Sequence, residues 1–395
     1  MLTSFTIPAD TTQIDDFYFY YCNLLSSVNS AVPGTVIIPG SINTIGNYAF
    51  MKCFNIKTVG IPEGVKSIGE NTFEGCSKLQ SVSIPYSMSI ISSYLFNECS
   101  ALTSIFLPWS IKSIGDYAFR GTKLLTAINL PEGLNYIGYA AFQVSGLTSV
   151  KIPNTITALS AYSFSYCTGL VSVTLPSTLT IIGDFSFSMT SITTINIPSG
   201  VITIGTQAFQ SSKLTSLVVP KSVTSLGVGM CYQCTSLTWL HIMSTSGSIL
   251  DFAFGSCTSL KTVTIDNGIT SIGKYSFSSS GLISVQIPVS VLLIDQYAFA
   301  SSSSLISLAL MGNPQLNVKP YAFANTAIPC IFTPTTLSFS SSSFPNPVNC
   351  VSLTLYLISL YYNLIMIVYN SLVRLAVECP QILSDLVVLG KRIFM

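Results

Sequence analysis

Apolar positions recur along this chain with a period that no ordinary globular pattern produces. Leu79, Val82 and Ile84 are followed by Pro85, then by Ile91 and Phe96, and Leu282, Val285, Ile287, Pro288, Val291, Ile294 and Phe299 repeat the same order. The unit is L-x-x-V-x-I-P-x-x-V-x-x-I-G-x-x-A-F. Phenylalanine occupies its last position at 19, 50, 73, 96, 119, 142, 164, 187, 209, 254, 277, 299 and 323, and Cys231 fills the slot once. Most slots are 22 or 23 residues apart. Self-similarity at such a period predicts a stacked array rather than separate domains.

Within the unit, V-x-I alternates and predicts a short strand with Val82 and Ile84 on one face and Ser81 and Ser83 on the other. The proline that follows cannot donate to a ladder and marks where pairing stops. Gly46, Gly69, Gly115, Gly138, Gly183, Gly205 and Gly273 are read as permitting a tight bend into the A-F segment. That segment is too short for a normal helix, which predicts a turn or a short 3₁₀ piece. The fold class expected is a β-rich solenoid of about fourteen 22–23-residue turns, with short strands on one face and turns or 3₁₀ pieces on the other. From Phe73 to Leu79 the loop takes six residues; from Phe142 to Leu147 it takes five. All regular variation in the period sits in that loop.

The segment IPEGVKSIGENTFEGCSKL, Ile61 to Leu79, together with its copies from about Ile7 to Phe323, resembles the BspA-type leucine-rich repeat. Members of that family are surface proteins of bacteria and of parasitic protists such as trichomonads. The resemblance implies a non-enzymatic surface protein mediating adhesion or ligand recognition, with a protein or glycan partner on a host cell, matrix or microbial surface. The alternative is a soluble intracellular scaffold for protein–protein interaction, with the C-terminus as a cap. The unit departs from the family pattern in two places. The link between Leu25 and Pro39 is too long, and the turn around Cys231 has no Ile-Pro after its strand.

Composition narrows the chemistry. Charged residues make up 8% of the chain and the net charge is +1. No basic stripe exists for a phosphate backbone, so nucleic acid is excluded as a partner. His241 is the only histidine. A Cys-His or Ser-His site would have to use it, with Cys234 or Cys257 from adjacent turns as the conceivable thiols. Cys231 and Cys234 form a lone C-x-x-C with no second pair to complete a zinc site. There is no phosphate loop or dinucleotide motif, and Asp15–Asp16 is the only adjacent acidic pair. No catalytic residue, metal or cofactor is expected. Cys22, Cys53, Cys76, Cys99, Cys167, Cys234 and Cys257 all lie three residues after the Phe slot. A position that also takes Thr122 and Ser302 predicts a buried small donor, a ladder of free thiols rather than disulfides.

Candidate binding residues stand among small hydroxyls on the outward strand positions. They are Phe106, Lys151, Trp239 and His241, since large aromatics with a polar handle are favoured at binding hot spots. Trp239 and His241 could equally cover the irregular turn beside Cys231. The N-terminus has no basic stretch followed by an apolar core, so residues 1–49 are expected to be a cap and first degenerate repeat. Residues 50–328 form the array, and 329–350 a Ser/Pro-rich degenerate repeat or linker. Residues 351–373 contain no charge and are long enough to span a bilayer. They predict a transmembrane helix, with 374–395 as a short tail. Arg374, Lys391 and Arg392 would then place the tail inside and the repeats outside, as a single-pass cell-surface protein.

Overall fold

The computed structural model of the protein describes residues 2–243, 247–329, 331–332 and 342–343. The chain divides into two compact units, 1–329 with 333–347, and 330–332 with 348–395. Of the second unit, the described part is the strand Ile331–Phe332. The first unit is the solenoid.

Its first wall is the V-x-I strand. Thr58–Gly60, Ser81–Ser83 and Ser104–Phe106 pair in parallel with Val59 opposite Val82 and Val82 opposite Ile105. The repeat sets this register: identical slots stack, so inward aliphatic residues meet one another and outward positions meet outward positions, as Thr58 meets Ser81 and Ser81 meets Ser104. The long link after Leu25 becomes an extra rung. Ser27–Val28 lies between Ser4–Phe5 and Thr35–Ile37.

A second wall adds to the expected design. Residues just before the repeat glycine form two-residue parallel strands, among them Thr44–Ile45, Ser67–Ile68, Ser113–Ile114, Ile181–Ile182 and Thr203–Ile204. The glycine after them has a cause other than the tight bend read from the sequence. A Cβ on Gly69 would lie 2.5 Å from the Asn47 amide nitrogen, and one on Gly205 would lie 2.6 Å from that of Asp184. Each is needed because the preceding coil passes that closely. The neighbouring side chain then caps the coil above it: Asp116 Oδ1 accepts the Tyr139 amide at 2.8 Å and Asp184 Oδ1 that of Thr206 at 2.7 Å.

The A-F segment makes the third wall, built of turns. Residues two before and two after the Phe slot are left-handed, as at Tyr48 and Lys52 (φ 57° and 58°). That alternation prevents a continuous 3₁₀ run. Amides instead alternate between two partners: Cys53 donates to Phe50 in its own coil, whereas Phe50 donates to Thr72 in the next. The pattern continues to Ser342 and Ser343, whose carbonyls accept from Tyr321 and Phe323.

The Phe slots stack along the interior. Neighbouring rings from Phe19 to Phe209 lie 5.0–5.9 Å apart, with interplanar angles of 26° or less. The stack is interrupted by Cys231 and resumes from Phe254 to Phe323. These rings are essentially inaccessible to solvent, and each contributes roughly 1.5–3 kcal/mol of burial.

No helix among the described residues is long and apolar enough to cross a membrane. That overturns the expected membrane anchoring and the single-pass placement with repeats outside. The repeated Leu, Val, Ile and Phe slots of the described chain occur at strand and turn spacing and are buried within the solenoid. The segment 351–373 on which the transmembrane reading rested lies outside the described residues.

Candidate partner-binding face

The strand wall carries one side chain outward from each alternate position, and its hydrogen-bonded ladder is broken at regular places. Between Phe50 and Leu305 the loops 142–147, 187–192, 209–214 and 277–282 are one residue shorter than the others. After three of them the next strand fails to pair with the coil before it, and after 187–192 the rung 194–196 forms no ladder at all. In three of the four the backbone bends just before the strand, at Thr148, Thr215 and Ile283. A fifth break, between Ser104–Phe106 and the rung 127–129, follows a full-length loop, and loop length does not account for it. Ala127, Ile128 and Asn129 therefore make no backbone hydrogen bond to either side.

Two shallow depressions coincide with breaks. One, of about 450 Å³, lies over the rung 127–129 and reaches Ser104, Glu132, Ser149 and Lys151. The other, of about 620 Å³, lies between Val263–Asp266 and Gln286–Val289, with Met311 beyond.

The four residues singled out from the sequence fall into two groups. Phe106 and Lys151 stand on the strands flanking the first depression. Phe106 is 59% exposed, and Lys151 Nζ pairs with Glu132 Oε1 at 2.6 Å. Lys151 holds the Glu132 carboxyl below its ordinary range, by hydrogen bonding and charge. Trp239 and His241 share the strand Trp239–Ile242, their rings 6.0 Å apart and edge-on. His241 Nε2 lies 3.0 Å from Asp266 Oδ1. Asp266 occupies the position where most units carry proline, so the lost Ile-Pro of the irregular turn is matched by a new polar contact one coil on.

Sequence reasoning missed two aromatic features. Tyr86 and Trp109 follow the strand-end prolines, a column outside the strand positions that were scanned. Trp109 is 72% exposed, the most open large apolar side chain among the described residues. The second feature lies at the left-handed positions of the turn wall, where Tyr94 stacks on Tyr117 at 4.7 Å and Tyr275 on Tyr297 at 4.9 Å. Repetition of Y-x-F at the slot was the signal for it.

The thiols lie on the other side of the strand wall from His241. Cys53, Cys76 and Cys99 donate to the carbonyls of Phe19, Phe50 and Phe73 at 3.1–3.2 Å, each one coil back. Cys234 and Cys257 are likewise buried and bonded inward, to Phe209 and Cys231. All described cysteines are free. Burial pushes the Cys167 thiol up to about 11 and raises Cys53 and Cys99 as well. Such thiols are neither nucleophiles nor metal ligands at neutral pH. Among the described residues no cluster of three His, Cys, Asp or Glu side chains could hold a metal ion.

A family model described as a BspA-type leucine-rich repeat region matches residues 1–33, 34–146, 135–249 and 229–353. The chain belongs to that family. A leucine-rich repeat protein from Bacteroides ovatus is 28% identical, with a TM-score of 0.64, over 78% of this chain and 88% of that one. A leucine-rich repeat protein from Eubacterium ventriosum shares the fold at 22% identity and a TM-score of 0.51, over 86% of this chain and 92% of that one. No curated protein matches the sequence. The chain is a leucine-rich repeat interaction module of the BspA type.

Proposed function

We propose that the strand wall recognises a protein partner, with the outward positions from Ser81 to Ala309 as the contact face and the breaks as its points of specificity. The observation that supports this reading is the coincidence of three things. Ladder breaks and depressions coincide, Phe106 and Lys151 flank the first of them, and Trp239 and His241 stand on the paired strand one coil before the second, on a wall otherwise lined mostly by small hydroxyls. Repeat arrays use such stacked faces for recognition, and large anchors within a neutral surround carry most of the energy. A scaffold role needs only this face. Adhesion to a host cell, matrix or microbial surface, which the family resemblance implies, would use it too.

The test is selection of binders from a displayed random-peptide library on the full chain. Binders are then re-measured on two variants, Ser149→Glu with Trp239→Ala on the strand wall and Lys52→Glu with Tyr166→Ala on the turn wall. The reading expects loss on the first and retention on the second. Loss only on the second, or no enriched binder, would overturn it.

A further inference from the structure

Tyr86, Phe106 and Trp109 form an exposed aromatic cluster across adjacent coils. Their exposures are 49%, 59% and 72%. Tyr86 is the hub: its ring lies 6.3 Å from that of Phe106 and 6.5 Å from that of Trp109, at interplanar angles of 59° and 46°. Resting on the reading of this wall as a protein-recognition face, we propose that the cluster docks a proline-rich segment in the polyproline II conformation, with a basic residue at its Glu63 end.

Ring spacing is the first argument. A polyproline II helix rises about 3.1 Å per residue, so alternate residues are about 6.2 Å apart. The two measured separations match that two-residue step. Successive contacts of a three-fold helix also rotate about its axis. Facets tilted by 46° and 59° suit such a ligand, whereas a flat chain of sugar rings would need coplanar platforms.

Backbone geometry is the second. Strand amides and carbonyls point along the wall, toward the coils above and below, so a β-strand laid on the outer face gains no ladder. A polyproline II ligand needs none. It has no internal hydrogen bonds, and it uses isolated donors such as the Tyr hydroxyl and the Trp indole N–H.

Charge is the third. The residues after the strand-end prolines run Glu63, Tyr86, Trp109, Glu132 in successive coils. Glu132 is neutralised by Lys151. At the other end, Glu63 Oε2 accepts the Tyr86 amide at 2.9 Å. Among the described residues Glu63 takes part in none of the ion pairs, which join Arg120 to Glu98, Lys151 to Glu132 and His241 to Asp266. The cluster therefore has one uncompensated carboxylate at one end, complementary to a Lys or Arg of the ligand.

The experiment is calorimetric titration of the full chain with a ten-residue peptide of one arginine followed by Ala-Pro-Pro units. Controls are the same peptide without arginine, a version with every proline replaced by glycine, and the neutral oligosaccharides maltohexaose and cellohexaose. Saturable binding of the arginine-proline peptide is expected, weakened about tenfold by Tyr86→Ala and separately by Trp109→Ala. Glu63→Gln should weaken it about threefold and leave the arginine-free peptide unchanged. Thermal melts confirm that the variants are folded, and should Trp109→Ala fail to fold, Tyr86→Ala still decides. Absence of saturable binding, equal binding of the glycine control, indifference to both aromatic variants, or binding of the saccharides instead would each overturn the proposal. If library binders depend on the strand wall while proline peptides do not bind, this proposal falls and the recognition reading stands. If neither is seen, both fall.

Discussion

Cys99 typifies what one residue does in this fold. Its thiol sits where the loop turns inward and donates to the Phe73 carbonyl of the coil before, at 3.1 Å. Ser302 does the same to Phe277 at 3.0 Å. The slot asks for a small donor, and sulfur is not essential. Cys99→Ser should therefore be nearly neutral, whereas Cys99→Val, which removes the donor and keeps the bulk, should cost ~0.5–1.5 kcal/mol, since the Phe73 carbonyl loses one of its two donors and keeps the Cys76 amide. Urea unfolding midpoints measure both. The thiols also set a pH dependence. In the unfolded chain a thiol loses its proton near 9.0, while Cys167 folded keeps it to about 11. Alkali then favours the unfolded state: this contribution is full below pH 9 and is lost as pH rises from about 9 toward 11. Between pH 8 and pH 10.5 the urea midpoint of wild type should fall more than that of Cys167→Ser. An equal fall would show that the buried thiol is not responsible.

At the scale of elements, loop length acts on a wall it does not belong to. The loops after Phe142 and Phe277 are one residue shorter, and the strand that follows each does not pair with the coil before it. The rung 127–129 is left without backbone partners although Ile105 and Val150 on either side pair normally with their outer neighbours. Hydrogen exchange should find the amides of Ile128 and Asn129 at least about tenfold less protected than those of Val82 and Ser83, whose strand is paired on both sides. Similar protection for the two rungs would mean that they are paired in solution. The five-residue loops are plain in the sequence, but their consequence is not. One residue of slack changes hydrogen-bond geometry across the coil, which depends on how neighbouring coils stack. The same holds for the repeat glycine, whose role comes from the preceding coil passing within 2.5–2.6 Å of a would-be Cβ at Gly69 and Gly205.

For the solenoid as a whole, stability is summed over neighbouring coils, with few ion pairs to help. Charged residues are 8% of the chain, and the ion pairs among the described residues are partly exposed. Raising NaCl from 0.05 to 1 M should not lower the melting temperature, because screening has little to remove and exposed pairs contribute little. A fall of several degrees would point to electrostatics that the fold does not display. The Phe stack is where cooperativity resides. Phe187→Ala, in the longest unbroken run of rings, should cost ~3–5 kcal/mol. Because each coil touches only its neighbours, the loss should appear first as lowered exchange protection between Phe164 and Phe209.

The sequence by itself determined the coil, its length, its inward residues and its outward columns. Those follow from spacing alone: a slot repeated every 22 or 23 residues must stack on itself, and an alternating strand has only two faces. It also placed Phe106, Lys151, Trp239 and His241 on the outer face, since each is an odd step along the strand from a buried residue. Tertiary structure decided what depends on contact between coils. It added a second strand wall before the glycine and chose, of the turn and the 3₁₀ piece left open for the A-F segment, a turn with left-handed residues on either side of Phe. It set Asp266 against His241, and it gathered Tyr86, Phe106 and Trp109 into one cluster. Tyr86 and Phe106 are 20 residues apart in the chain and their rings 6.3 Å apart in space. Periodicity assigns a residue to a column, but only the packing of successive coils decides which columns meet.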